Sequence, residues 1–285
     1  MPVLTLRELR KRIRGAQKTQ QITKTMQMVA ASRLKKSEEK LRQARPFAQG
    51  MEMILSHLRQ FGSDFKHPFF EAREVKTIGL VVITSDRGLA GAYNANVIAE
   101  AEAFLMEPRP QAVKLAVIGK KGFDHFKTRE WPILIKRLDI AGKPDFRKIT
   151  EITEQITELY LSGEVDAVYL VYSKYLSAMS IKPVVVKYLN LQQEETAEPT
   201  QTILEPSLPE ILNQFLPKYI ASKMFLSLVE AFTAENSARM IAMKTATDNA
   251  KEMINRLTLL RNKARQAAIT KEILEIVTAG EALKG

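Results

Sequence analysis

A chain of 285 residues with 45% hydrophobic and 26% charged content is long enough for one or two packed domains and falls outside the disordered class. Its lack of cysteine excludes disulfides, thiol catalysis and cysteine–zinc sites, and no run approaches the ~18 consecutive apolar residues of a membrane span. The formal net charge is +11, and +10 of that lies in residues 1–45, where thirteen Lys or Arg face three Glu.

The N-terminus carries no apolar stretch of signal-peptide type, so a soluble protein of a reducing, intracellular compartment is expected. The first segment, Leu4 to Leu58, reads as one long helix. Its apolar residues recur at threes and fours: Leu6, Leu9, Ile13, Ala16, then Ile22, Met26, Val29, and later Ala44, Ala48, Met51, Leu55, Leu58. Thr5 with Glu8 three residues on has the form of a capping box. Gly15 and Pro46 are weak points, and Pro46 should bend or loosen the helix near Ala44. A basic helix of this kind suits nucleic acid, an anionic membrane, an acidic protein surface, or simply a solvated face. Aromatics do not interleave with its charges and no nucleic-acid module is present, so nucleic acid is not the expected partner.

The middle third changes character. Val75 to Thr84 is a β-branched, continuous run, as in a strand buried on both faces. A turn containing Asp86, Gly88 and Gly91 follows, then a helix over Asn94 to Met106. Val113–Gly119 and Ile133–Arg137 read as strands, Lys121–Arg129 and Phe146–Leu161 as helices. Asp166–Tyr175 and Lys182–Leu189 complete five strands, the last pair an antiparallel hairpin. Strands alternating with helices imply a mostly parallel sheet. Gln192 to Pro209 is polar and reads as a linker.

Lys218 to Ala279 then runs for 62 residues without proline or glycine. As a helix it would reach roughly 90 Å, about twice the width of a compact domain, so it needs another long element or a partner beside it. Coiled-coil spacing is visible at Ala221, Phe225, Leu228, Phe232 and again at Met253, Leu257, Leu260, Ala264, Ala267. Between them Ala231, Ala234, Ala238, Ala242, Ala246 and Ala250 permit close backbone approach. The expected fold class is α/β: a long antiparallel two-helix coiled coil from both chain ends, plus a central Rossmann-like α/β domain with a mostly parallel sheet. The divisions are 1–60, 61–207 and 208–285.

Catalytic patterns are missing. Gly142-Lys143 precedes Pro144, which leaves no Walker A Ser or Thr. Gly88-Leu89-Ala90-Gly91 is not a dinucleotide fingerprint and reads as a tight turn. His57, His67 and His125 lack partners at metal-ligand spacing. Ser85-Asp86-Arg87 has no histidine base nearby and reads as structural capping. No catalytic, cofactor or metal site is expected.

Three stretches together resemble the gamma subunit of F-type (rotary) ATP synthases, of the bacterial type: QITKTMQMVAASRLKKS (Gln21–Ser37), TSDRGLAGAYNANV (Thr84–Val97), and ARMIAMKTATDNA (Ala238–Ala250) with NKARQAAITKEILEIV (Asn262–Val277). The likeness runs through the whole chain in order. It departs at Ala279-Gly280, reversed from the usual Gly-Ala, at Ala90, where the family often has Cys, and in lacking the cysteine-bearing insertion of chloroplast members.

The resemblance implies a central rotor shaft, one copy per complex, with no active site of its own. The two helices would sit inside the hexamer of alpha and beta subunits, and the α/β domain would form a foot near the epsilon subunit and the membrane c-ring. The chain would then be a peripheral protein at the cytoplasmic face of the cell membrane. Ion flow through the ring would turn the shaft and cycle the beta conformations, for ATP synthesis or hydrolysis. By motif, Met26 matches a position near the acidic lever loop of beta, although its periodicity alone equally suits a coiled-coil core methionine. Arg239, Arg265, Gln266, Thr270 and Glu272 match positions that engage beta or couple the helices. Glu205 falls where the foot meets the ring. Without the resemblance the polar ones would read as solvated helix residues. A non-rotary scaffold and a nucleotide-binding enzyme with helical arms are the alternative readings.

Overall fold

The computed structural model describes residues 5–60, 67–71, 73–138, 140, 146–191, 205 and 207–282. Ten elements follow in chain order: α1 (Leu6–Gln60), β1 (Thr77–Ile83), α2 (Tyr93–Met106), β2 (Ala112–Ile118), α3 (Lys120–Phe126), β3 (Ile133–Arg137), α4 (Phe146–Leu161), β4 (Ala167–Ser177), β5 (Ser180–Leu189) and α5 (Leu208–Ala282). The chain forms two compact units, one from residues 1–29 with 240–285, the other from residues 30–239.

In the larger unit the sheet order is β3-β2-β1-β4-β5, parallel except for the antiparallel β4–β5 hairpin. Side chains alternate across β1. Val81 and Ile83 pack with α4 residues Ile149, Ile152 and Ile156 and with Leu55 and Leu58 of α1. Leu80 and Val82 pack on the other face with Val97, Ala101 and Leu105 of α2. Cover on both faces is why β1 lacks a polar alternation. Leu212, Leu216, Tyr219 and Met224 of α5 join the first of these cores. Going from Arg45 to Glu52 along α1 accompanies going from Glu230 back to Tyr219 along α5, through the Arg45–Glu230 and Glu52–Tyr219 contacts, so the helices run antiparallel.

The capping box at the start of α1 forms as expected. Thr5 N–H donates to Glu8 Oε2 at 2.9 Å, and Glu8 N–H donates to Thr5 Oγ1 at 3.3 Å. The Thr5 N–H and then the Thr5 hydroxyl, both donating to the carboxylate, hold the Glu8 carboxyl below its ordinary value. The helix continues through Pro46 without interruption.

At its other end α5 begins ten residues before the expected Lys218, and Pro217 lies inside it. Pro209 sits in its first turn, where the missing N–H would have no intrahelical acceptor anyway. Pro209 is therefore helix, not linker; residues 192–204 and 206 of that linker, like the Gly142-Lys143-Pro144 stretch, lie outside the described residues.

The seam of α1 is stricter than its hydrophobicity suggested. Buried or half-buried positions include Leu6, Leu9, Ile13, Ala16, Gln20, Thr23, Met26 with Gln27, Ala30, Leu34, Ser37, Leu41, Ala44, Ala48, Met51, Leu55 and Leu58. This alternation of four and three is the heptad spacing of a left-handed supercoil. Ile22 and Val29, expected inside, are 60% and 48% exposed. In α5 the stripe runs through Met243, Thr247, Ala250, Ile254, Leu257, Arg261, Ala264 and Ala268, leaving Met253, Leu260 and Ala267 exposed. The physical reason is that polar and small residues hold the seam. Thr23 and Thr247 share a hydrogen bond across it, Oγ1 to Oγ1 at 2.8 Å.

Candidate functional site

The first βα turn lies at the C-terminal edge of β1, beside the point where the strand order reverses between β1 and β4. Open α/β sheets bind ligands in that crevice. Here local bonds consume the reactive groups. Ser85 is fully buried; its Oγ donates to the Arg87 carbonyl at 2.6 Å, and its N–H donates to Asn94 Oδ1 at 3.0 Å. Asp86 Oδ1 accepts the Lys120 N–H at 2.9 Å, capping the start of α3. Thr84 Oγ1 accepts the Gly122 N–H at 2.8 Å. Gly119 has φ +99°, and a Cβ there would lie 2.2 Å from the Thr84 carbonyl oxygen, so only glycine fits. Leu89 and Gly91 take left-handed φ values of 64° and 55°, which closes the tight turn.

The crevice is filled from α5. Arg239, 9% exposed, aims its guanidinium at the Gly88 carbonyl (3.3 and 3.4 Å) and the Arg87 carbonyl (3.4 Å), and pairs with Glu235 at 2.7 Å. Burial raises the Glu235 carboxyl above the usual carboxylate range, and the Arg239 charge opposes that. Ser237 Oγ donates to the Ala178 carbonyl just past β4. α5 thus lies against this turn through Arg239. Among the described residues no group of His, Asp or Glu could hold a metal. His125, isolated in sequence, places its Nε2 2.8 Å from Glu102 Oε1.

The residues singled out by resemblance are distributed over both units. Met26, Arg265, Gln266, Thr270 and Glu272 belong to the smaller one. Met26 is half-buried at the seam's edge, flanked along α1 by exposed Ile22 and Val29. Arg265, Gln266, Thr270 and Glu272 are exposed on α5. Among the described residues, one hydrogen bond joins two of the set: Thr270 Oγ1 donates to the Gln266 carbonyl at 3.0 Å. In the larger unit Glu205 is exposed at a bend, whereas Arg239 spends its guanidinium inside the unit as above.

Sequence reasoning missed a second polar cluster around Glu230 of α5, which is 3% exposed. Arg45 of α1 pairs with its Oε1 at 2.9 Å, and the Tyr172 hydroxyl donates to its Oε2 at 3.2 Å. The available signal was a carboxylate set among Leu228, Val229, Ala231 and Phe232. A charge in such a run needs a partner.

The family model described as ATP synthase matches residues 5–283. A relative from Desulfitobacterium hafniense, named ATP synthase gamma chain, is 43% identical over 278 residues, covering 98% of this chain and 99% of its own length. The chain belongs to the ATP synthase gamma-chain family. A second gamma chain, from Protochlamydia amoebophila, is 41% identical over 283 residues, with the same shares covered. Among solved structures, a chain of the Tetrahymena thermophila mitochondrial ATP synthase central stalk/c-ring is 27% identical with a TM-score of 0.60, over 79% of this chain and 99% of that one. A chain of the Euglena gracilis mitochondrial ATP synthase gives a TM-score of 0.66 at 20% identity, over 98% and 94%, a likeness of fold. No helix of this gamma-family chain, among the described residues, is long and apolar enough to cross a membrane.

Proposed function

We propose that this chain is the non-catalytic rotor shaft of an ATP synthase, coupling ion-driven rotation of a membrane c-ring to conformational cycling of catalytic beta subunits. One observation carries the reading beyond family membership. The smaller unit buries a thin seam and leaves large apolar side chains outside it: Ile22, Met28 and Val29 on α1, Ile273, Leu274 and Ile276 on α5, each 48–71% exposed. Exposed apolar surface on that scale fits an enclosing partner. The alpha–beta hexamer is that partner, residues 61–207 form the foot toward the epsilon subunit and the c-ring, and one copy serves each complex at the cytoplasmic face of the cell membrane.

The mechanism is differential contact. A shaft that touched every beta subunit equally would shift no conformational equilibrium, so each angle must favour one beta state over another. Met26, with Ile22 and Val29, supplies an apolar row that slides without fixed bonds. Arg265, Gln266, Thr270 and Glu272 supply polar contacts with beta from α5, Arg239 supports the same coupling, and Glu205 meets the ring side.

The test is to co-express the chain with alpha and beta subunits, isolate a stoichiometric ATPase, and follow a bead fixed to the foot. ATP-driven rotation is expected; a complex that hydrolyses ATP with a stationary bead would refute the reading. Met26→Lys should leave assembly intact but lower the ratio of ions pumped to ATP hydrolysed. An unchanged ratio would remove Met26 from the contact set.

A further inference from the structure

From Ser227 to Ser237 every α5 side chain is buried, eleven consecutive residues around the full circumference of the helix. Such a segment is enclosed by its own chain. Six of the eleven are polar, and directional bonds reach this segment from several elements. Tyr93 of α2 donates its hydroxyl to the Ala231 carbonyl at 3.1 Å. Tyr172 of β4 donates to Glu230 Oε2 at 3.2 Å. Arg45 of α1 donates through Nη2 and Nε to Glu230 Oε1 at 2.9 and 3.3 Å, and through Nη2 to the Tyr175 carbonyl of β4 at 2.5 Å. The Tyr175 hydroxyl returns to α1 by donating to Glu38. Arg45 and Glu230 therefore join α1, α5 and the sheet at one point inside the larger unit.

Apolar burial is non-directional and follows area, so a helix can exchange one apolar neighbour for the next with modest loss. Hydrogen bonds weaken steeply with angle and distance. A carboxylate pulled from its partners in a buried site is left as an uncompensated charge, among the costlier local defects. Bonds of this kind resist twist of α5 against the sheet in a way the surrounding leucines and valines do not.

We propose that Arg45 and Glu230, with Tyr172 and Tyr175, form a shear-resistant joint that makes α1, α5 and the sheet of this unit turn as one body under load. They are positioning residues: they touch no substrate and act by passing torque between elements. The proposal rests on the rotor reading above.

Replacing a buried ion pair with apolar residues of similar volume is often neutral or stabilising. Glu230 is 3% exposed and the Arg45 side chain 39%, so the pair is buried at its carboxylate end. Arg45→Met combined with Glu230→Met removes the directional bonds there while keeping apolar bulk, which separates stiffness from stability. The complete ATP synthase carrying this double variant is reconstituted in vesicles. Thermal unfolding and ATP hydrolysis in ion-leaky vesicles, where no load opposes rotation, should match wild type within about twofold. ATP synthesis against an imposed ion gradient should fall roughly fivefold, the factor one net hydrogen bond is worth. Undiminished synthesis would overturn the proposal, and so would equal losses in stability, unloaded hydrolysis and synthesis, since the bonds would then serve folding alone. Tyr172→Phe with Tyr175→Phe keeps the ion pair and should lose less synthesis. If the methionine pair fails to assemble, the phenylalanine pair decides, and full synthesis by it overturns the joint. A wild-type complex that moved no ions in sealed vesicles would instead refute the rotor reading.

Discussion

Two glycines place opposite demands on the same sheet. At Gly119 an added Cβ would meet backbone, 2.2 Å from the Thr84 carbonyl oxygen, at a φ of +99°. Gly119→Ala should cost about 3 kcal/mol or more, combining a left-handed φ with a clash that cannot relax by side-chain rotation. At Gly79 the nearest atoms to a Cβ are Val165 and Val168 methyls at 3.4–3.5 Å, ordinary contact distances. Gly79→Ala should therefore stabilise by roughly 0.5 kcal/mol through the unfolded chain and added apolar contact. Urea unfolding of the two variants should move the midpoint in opposite directions; a shared sign would contradict the backbone geometry. Glu235 carries a pH prediction. Burial raises its carboxyl from the ordinary value of 4.5, with the Arg239 guanidinium acting against the rise. The folded state then holds a proton that the unfolded state has released, so its contribution to stability is full below 4.5 and is lost as pH rises through the folded value. Glu235→Gln should flatten the decline above pH 4.5. Parallel stability–pH curves for variant and wild type would show that burial of the charge is not the cause.

At the scale of the element, α1 tolerates two residues that helices usually avoid. Pro46 is exposed and removes one backbone donor in the interior of a 55-residue helix, and Gly15 has open space where a Cβ would go. Pro46→Ala should stabilise the chain by as much as about 3 kcal/mol, and Gly15→Ala by about 1 kcal/mol, the respective costs of those residues in helix interiors. Chemical denaturation gives both values; a loss of stability in Pro46→Ala would mean that its surroundings are shaped to a locally opened helix. The same element marks the limit of reading sequence. The length of α1, its capping box and the five strands were legible because apolar spacing, Thr5–Glu8 and the β-branched runs are local signals. The seam was legible in part. Its polar positions Gln20, Thr23 and Gln27 carry no apolar signal, and Thr23 is held by hydrogen bonds to the Gln20 carbonyl and to Thr247, while the more apolar Ile22 and Val29 face outward. Hydrophobicity placed Leu9, Ile13, Ala16, Met26, Ala44, Ala48, Met51, Leu55 and Leu58 on the inward stripe correctly and misplaced only Ile22 and Val29. The polar α5 segment around Glu230 was illegible for a related reason: its partners Arg45 and Tyr172 lie far away in sequence. Arg239 likewise meets the Arg87–Gly88 turn, whose carbonyls lie far from it in sequence, so local spacing carries no sign of that contact.

For the molecule as a whole, the uneven charge is the property with the widest reach. Nearly all of the +11 net charge falls in residues 1–45. Lys35 and Lys36 are exposed on α1, and their ammonium groups have no ion pair among the described residues. If the proposed hexamer presents acidic loops to this helix, the attraction steers and orients assembly more than it tightens it. Reversing both charges, Lys35→Glu with Lys36→Glu, leaves the seam untouched, since neither position belongs to the buried stripe. Screening then separates the electrostatic part from any other. The Debye length falls from about 10 Å at 0.1 M salt to about 3 Å at 1 M, so a long-range effect should fade across that range. Assembly of the variant with alpha and beta subunits should be slower than wild type at low salt and approach it at high salt. The measurement is the rate of recovery of ATPase activity when separated subunits are mixed at each ionic strength. An equal deficit at both salts would locate the effect in local contacts of Lys35 and Lys36, and would leave the charge asymmetry without a role in assembly.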